Sequence, residues 1–277
     1  MFFQRSDNLT SVITSYDVVK AATLFFMLID HVGAYFLPDE PWWRVFGRFG
    51  FPVWFILAGY TRHFAVEAKL WLGAGILILG NVVLGQYTFP LNALVSFMLI
   101  RLVMPRFGEI SLKGAEPLIY AMVALLILAI PTNALFEYGS LAFLLALVGY
   151  AMRHRDELSL APWGLAVFAC VAASSVAGLE AFFFGFDTMQ TLVSGVGIVA
   201  ICCAMFFVFR PAEFPKLTRA LPQPVGAVIR VCGRYTMEIY VIHLLLIKAY
   251  LLYADHGHYH WFAPTLFPDI PNIPKVE

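Results

Sequence analysis

Long apolar runs separated by short polar segments dominate the pattern of this chain. A helix that crosses a membrane needs roughly 20 mostly apolar residues. Nine runs reach or approach that length, and they lie near 17–36, 46–64, 70–87, 90–104, 117–132, 135–152, 162–184, 190–209 and 235–253. The pattern predicts an all-α integral membrane protein. We expect a polytopic bundle of about nine transmembrane helices, within a range of roughly 8–10, in a single domain over residues 1–277.

Lysine and arginine occupy alternate loops of this pattern. They follow the second, fourth, sixth and eighth runs, whereas the loops LPDEP, QYTFP, PTNALFEYG and FGFDTM contain neither residue. Because cytoplasmic loops are enriched in lysine and arginine, the pattern predicts a cytoplasmic N-terminus. Arg44 and Arg48 depart from it, since they lie at the predicted outer end of the second run. We expect Arg48 to pair with a carboxylate inside the membrane or to contact a ligand.

The composition agrees with this fold class. Hydrophobic residues make up 61% of the chain and charged residues 13%, and the mean hydropathy is +0.79; a soluble domain is about half apolar and about a quarter charged. The formal net charge of zero gives no support for a nucleic-acid partner. The four cysteines form no CxxC or CxxxC pair. His256, His258 and His260 lack a fourth ligand, so we expect an exposed loop there and no metal.

The first run, YDVVKAATLFFMLIDHVG, carries Asp17, Lys20, Asp30 and His31. Charged groups inside a bilayer cost a few kcal/mol each on insertion scales, so they are rarely present without a role. On a helix, Lys20 and His31 lie within about 20° of one another and about 16 Å apart along the axis. A lysine at the inner boundary suits a phosphate, and a deep imidazole suits proton transfer. The alternatives are a lysine that extends to the headgroups and a histidine that bonds a neighbouring helix.

The last run, RYTMEIYVIHLLLIKAY, has a similar polar face. Thr236, Tyr240 and His243 fall within about 60° of one another on a helix, and His243 lies near the middle of the predicted membrane. We therefore expect His31 and His243 to meet in a common cavity. Hydrogen bonding between helices is the alternative role for this face.

Two ion pairs are also predicted. Arg234 and Glu238 are spaced i,i+4, as in a surface pair on one helix. Asp30 points about 100° away from its neighbour His31, so its partner is expected on another helix, and Arg48 is the candidate.

Several segments resemble the TraX family of bacterial inner-membrane proteins, which is associated with acetylation of the pilin N-terminus. They are YDVVK, LIDH, GRFGFP and LAGY, followed by PLNALVSFMLIRL and YGSLAFLLALVGY. The spacing from Lys20 to His31 and the closing YTMEIYVIHLLL are similar to signatures of the wider membrane acyltransferase superfamily. The resemblance implies a transmembrane acyltransferase-like domain in the inner membrane, among membrane lipids. It further implies transfer of an acyl group, expected to be acetyl, from cytoplasmic acetyl-CoA, which acts as co-substrate. The acceptor is an amine or hydroxyl of a protein, glycan or lipid.

The resemblance carries over two roles by position, His31 as the catalytic histidine and Lys20 as a group that binds the phosphate end of the donor; the remaining roles are inferred from the residues themselves. His31 is expected to be the catalytic base or a transient acyl carrier, with Asp30 and His243 beside it in the catalytic group. Binding of the donor is assigned to four residues, with Arg153 as a further candidate: Lys20, Asp17, Arg101 and Arg106. Arg48 and Tyr240 are expected to bind the substrate, and Arg48 and His243 to stabilise the oxyanion or place the acceptor.

Two other classes of function remain open on the sequence. The first is a proton-coupled transporter or flippase that uses Asp30, His31 and His243 as a relay. Transporters often contain inverted repeats with broken helices in matched positions, and the sequence shows no such pairing. The second, a non-catalytic assembly factor, needs no deep ionisable residues and is the least favoured.

Overall fold

The computed structural model describes residues 11–254 and 261–267. The regular secondary structure of these residues is helical, and two isolated bridges join Thr14 to Glu213 and Leu91 to Phe136. The α-helices are α1 (Ser15–Phe36), α2 (Pro41–Gly47), α3 (Phe51–Tyr60), α4 (Ala68–Val83), α5 (Ala93–Ser111), α6 (Ala115–Ile127), α7 (Ala129–Asn133), α8 (Gly139–His154), α9 (Pro162–Phe184), α10 (Thr188–Cys203), α11 (Pro215–Ala220), α12 (Gln223–Arg234) and α13 (Thr236–Ala254). A π-helical turn, Ala204–Val208, extends α10.

The prediction of a helical membrane protein is confirmed. Four helices of the described chain are long and apolar enough to cross a membrane: α1, α9, α10 with its π-helical turn, and α13. Large apolar side chains on these helices face outward, and Trp163, Val208 and Leu246 are 74%, 75% and 65% exposed. Such surfaces suit contact with lipid. The helices α4 and α6 are apolar but shorter, so the count of nine spans is not confirmed, and neither is the orientation.

Each of the nine predicted runs coincides with one helix or with two consecutive helices. The second run is divided, because α2 ends at Gly47 and α3 begins at Phe51 with a proline in its first turn. All ten residues of α3 are buried, as are most residues of α8. Both helices therefore belong to the protein core. A hydropathy pattern cannot separate such helices from lipid-facing spans, because both are apolar.

The helices α3 and α8 cross with their backbones in contact. A Cβ atom added to Gly59 would lie 1.8 Å from the carbonyl oxygen of Ala146, and one added to Gly149 would lie 1.9 Å from that of Ile56. Only glycine permits this approach. The crossing lies in the larger hydrophobic cluster, to which α5, α6, α9 and α10 also contribute, whereas α4 and α13 belong to a second cluster.

Both ends of α1 are fixed by their neighbours. Thr14 caps the helix through a reciprocal capping box with Asp17, and Asp17 also accepts from Arg234 Nε at 3.3 Å. Farther along, the Cα atom of Gly47 lies so close to α1 that an added Cβ would be 2.4 Å from Asp30 Cα. These contacts set the depth and rotation of α1.

The predicted ion pair between Arg234 and Glu238 is wrong. One helix, α12, ends at Arg234 and the next begins at Thr236, so the two residues do not share a helical face. Arg234 pairs with Asp17 instead, and Glu238 pairs with Lys69 at 3.3 Å.

Candidate active site

Two cavities lie along α1. The first, called here the histidine cavity, has a volume of about 80 Å³. Its apolar wall includes Leu70, Leu94 and Phe97, and its ionisable and hydroxyl lining residues are Asp30, His31, Arg48, Arg101, Glu137, Tyr138, Thr236 and Tyr240. The second, called here the cationic cavity, has a volume of about 340 Å³ and is lined by Tyr16, Lys20, Leu57, Tyr60, Thr61, Arg62, His63, Arg153 and Pro211.

The two histidines are in direct contact. His31 Nδ1 lies 2.6 Å from His243 Nε2, and the rings lie edge to edge and nearly coplanar, with centroids 4.8 Å apart and planes inclined by 18°. His31 lines the histidine cavity, whereas His243 is not among its lining residues. The ring of Tyr240 completes the group, 6.1 Å from the His31 ring and 5.8 Å from the His243 ring. The sequence predicted that His31 and His243 meet in a common cavity. In the structure the two rings are in contact, and His31 is the one that lines the cavity.

Asp30 is held by arginines from the adjoining segment. Its Oδ2 accepts from Arg44 Nη1 at 2.9 Å, and Arg48 Nη1 is 3.7 Å away. Arg48 is therefore a second, more distant partner of Asp30, and Arg44 is the closer one. Within the described residues, Asp30 Oδ1 is buried without a hydrogen bond.

Arg48 has a nearer acid that the sequence interpretation missed. Its Nη2 lies 2.6 Å from Glu180 Oε2, and its Nη1 donates to the Tyr138 hydroxyl at 2.9 Å. The guanidinium also lies 4.6 Å from the centre of the Phe184 ring. The signal in the sequence was available, because Glu180 is the single charged residue of α9. Of the two partners expected for Arg48, a carboxylate or a ligand, the carboxylate is found, and it is Glu180.

The cationic cavity brings Lys20 together with Arg62, His63 and Arg153, and no Asp or Glu among the described residues lines it. Arg62 and His63 were missed as site candidates because the sequence interpretation used Arg62 only for orientation. They lie in the segment that follows α3, which no periodic pattern covers. A concentration of cationic groups without a carboxylate is suited to a multiply charged anion.

The other candidates for donor binding lie in different places. Asp17 caps α1 and pairs with Arg234, outside both cavities. Arg101 lines the histidine cavity, and its Nη1 donates to the carbonyl oxygens of Ala65 at 2.7 Å and His63 at 3.3 Å. It therefore joins this cavity to the segment that forms the cationic one. Arg106 is exposed on α5 and lines neither cavity.

Within residues 11–254 and 261–267, no cluster of three or more histidine, cysteine, aspartate or glutamate side chains is arranged to hold a metal ion. His256, His258 and His260 lie outside these residues.

These features define a helical membrane protein with a pair of hydrogen-bonded histidines at one cavity and a cationic cavity farther along the same helix. Comparison with known proteins gives the family: a family model described as TraX protein matches residues 15–256, and the chain belongs to the TraX family. The chain is also similar to an uncharacterized protein, RP591, of Rickettsia prowazekii (strain Madrid E), with 21% identity over 90% of this chain and 97% of that protein. No solved structure gives a significant match.

Proposed function

We propose that this protein is a membrane acyltransferase that moves an acyl group from acyl-CoA to an amine or hydroxyl acceptor. The proposed acyl group is acetyl. The observation that carries the proposal is the arrangement on α1. His31 lines one cavity in contact with His243, and Lys20 lines a second cavity rich in cationic groups. A proton acceptor and an anion-binding group are the two elements that transfer from an anionic donor requires.

In the proposed reaction His31 is the general base. The acceptor nitrogen or oxygen attacks the carbonyl carbon of the thioester while His31 takes its proton, so that a C–N or C–O bond forms. The C–S bond then breaks, its electron pair goes to sulfur, and His31 returns the proton to the thiolate. The products are the acylated acceptor and free CoA. The hydroxyl of Tyr240, which lines the same cavity, is the proposed donor to the developing oxyanion.

The cationic cavity is the proposed site for the phosphates of the donor. Lys20, Arg62 and Arg153 provide positive charge, and the Tyr16 and Tyr60 hydroxyls provide donors. Arg101 donates hydrogen bonds to the carbonyl oxygens of His63 and Ala65. It is proposed to contact the part of the donor that lies between the phosphates and the acyl group. The apolar wall of the histidine cavity suits the uncharged arm that carries the thioester.

We further propose that the chain lies in the bacterial inner membrane with its N-terminus in the cytoplasm and about nine crossings. The support is the coincidence of the nine apolar runs with helices and the distribution of lysine and arginine. In this orientation the cationic cavity opens toward the cytoplasm, where acyl-CoA is found.

The proposal is tested with purified protein in lipid vesicles. Glucosamine offers amine and hydroxyl acceptors, and phosphatidylethanolamine in the vesicles offers a primary amine. We expect saturable binding of acetyl-CoA, release of free CoA thiol that depends on the acceptor, and transfer of label to it. Donor added to the face that carries the N-terminus should be used, and donor added to the other face should not. Proton-dependent uptake without binding of acetyl-CoA would instead favour a transporter.

Replacing Arg153 with glutamine should weaken binding of acetyl-CoA about tenfold, which corresponds to about 1.4 kcal/mol. The change removes one charge-assisted hydrogen bond to a phosphate, and such bonds contribute roughly 1.5–3 kcal/mol. The measurement is the dissociation constant by titration calorimetry. The matched control is Arg219→Gln, because Arg219 is exposed on α11 and lines neither cavity. Equal losses in both variants would indicate a general effect of surface charge and would remove Arg153 from the proposed site.

A further inference from the structure

We infer that His243 is a positioning residue that holds His31 in the tautomer with a proton on Nδ1, so that Nε2 is the basic nitrogen. The effect on turnover rests on the proposed acyl transfer, whereas the tautomer itself does not. The inference changes the role expected for His243 from the sequence, which was contact with the oxyanion or the acceptor.

The direction of the hydrogen bonds follows from a single fixed acceptor. His243 Nδ1 lies 2.9 Å from the carbonyl oxygen of Ile239, one turn earlier on α13. A carbonyl oxygen can only accept, so Nδ1 of His243 carries a proton. A neutral imidazole has one N–H group and one lone pair, so Nε2 of His243 must be an acceptor. The neighbouring Nδ1 of His31, 2.6 Å away, is then the donor.

The opposite assignment is unfavourable. If Nδ1 of His31 carried no proton while His243 was neutral, two lone pairs would face each other at 2.6 Å. If His243 donated instead, it would need protons on both nitrogens and would be a cation. Among the described residues no carboxylate pairs with either imidazole, and an unpaired charge at this depth is costly. The neutral chain from His31 through His243 to the Ile239 carbonyl is therefore preferred.

This arrangement is related to the one by which other enzymes orient a catalytic histidine. There, a second group accepts the Nδ1–H of the base and so fixes both the tautomer and the ring. Here the accepting group is a neutral imidazole. His31 lines the cavity and His243 is not among its lining residues, so His31 is the member of the pair that faces the space available to a substrate. After His31 takes up a proton, the hydrogen-bonded pair shares one positive charge across a short hydrogen bond.

The first test compares two substitutions of His243. In His243→Ala the acceptor is lost, and kcat should fall about 10²–10³-fold while KM for acetyl-CoA changes little, because a wrong tautomer in a catalytic triad costs up to about 10⁴ in kcat. In His243→Gln the side-chain oxygen can accept from His31 Nδ1, and kcat should recover to within about tenfold of the wild type. His154→Ala is the matched control, because His154 stacks on Tyr150, lines neither cavity and should leave kcat unchanged.

The second test does not depend on turnover. In ¹⁵N-histidine-labelled protein at pH 8, the signal that disappears in His31→Gln should show Nδ1 protonated and Nε2 unprotonated. It should change in His243→Ala and return in His243→Gln. A wild-type His31 with its proton on Nε2 would overturn the inference, and this spectrum decides the matter even where the alanine variant does not fold. Protonated Nδ1 in a protein that transfers no label would uphold the tautomer and contradict the proposed function.

Discussion

Replacing His31 with glutamine is expected to reduce kcat for acyl transfer by about 10²–10⁴-fold, the contribution typical of a general base. Glutamine retains a polar group that can bond to His243 but cannot take a proton near neutral pH. Binding of acetyl-CoA should remain within about twofold, because the proposed phosphate site lies around Lys20, about 16 Å away along the helix. Kinetics of thiol release and calorimetric binding of acetyl-CoA measure the two quantities on the same preparation.

Two comparisons make this result specific. His154→Gln removes a histidine that lines neither cavity and should retain full turnover. Thermal unfolding of His31→Gln in detergent should stay close to that of the wild type, since His31 is only partly buried. Wild-type turnover in the His31 variant would eliminate this residue as the base. Loss of both turnover and donor binding would place His31 in the donor site instead.

The polar face of α1, which carries Lys20 and His31, could be predicted from the sequence because it depends on helical geometry alone. A separation of eleven residues returns to the same face after three turns, so Lys20 and His31 were expected to point the same way at different depths. They line successive cavities along the helix. The sequence predicted that His31 and His243 meet in a common cavity, because both are rare polar groups whose burial requires partners; the two rings are in contact, but only His31 is among the lining residues.

The partners of the arginines could be predicted less well, because they depend on where the helices break. Arg48 was assigned to one continuous span, but it lies in the short connection between α2 and α3. From there it reaches Glu180 on α9 and Tyr138 before α8. Arg44, one turn earlier on α2, takes the closer position at Asp30. The pattern of apolar residues does not reveal such a break. The signals in the sequence are Gly50 and Pro52, because both residue types often end or interrupt a helix.

The number of spans was difficult to predict for a different physical reason. The hydropathy of a residue in a membrane protein is the same whether it contacts lipid or other helices. The ten residues of α3 are all buried, although their sequence, FPVWFILAGY, reads as part of a lipid-facing run. A core helix and a lipid-facing helix can be distinguished only by how they pack. Here Gly59 and Gly149 allow α3 and α8 to approach closely, and α3 therefore lies in the core.

Breaking the buried pair of Arg48 and Glu180 should have the largest effect on stability. Arg48→Met leaves Glu180 as a buried carboxylate, and removing one partner of such a pair typically costs about 3–5 kcal/mol. The expected fall in melting temperature is on the order of 10 °C, measured in detergent by loss of the monodisperse protein on heating. Glu180→Met should be similarly harmful, because it leaves the guanidinium with Asp30 at 3.7 Å as its remaining carboxylate.

The double variant, with methionine at both positions, should recover most of this loss, because replacing both members of a buried pair by apolar groups is often neutral. The exposed pair of Lys69 and Glu238 is the matched control: the Lys69 side chain is 64% exposed, and Lys69→Met should cost less than about 1 kcal/mol.

Arg44 still holds Asp30 in the double variant, so α1 keeps its rotation and His31 its place at the cavity, and turnover should recover together with stability. Recovery of stability without turnover would mean that Arg48 acts on the substrate directly, as the sequence first suggested. A double variant as unstable as either single one would show that Arg48 stabilises the fold through Tyr138 and the surrounding rings rather than through Glu180.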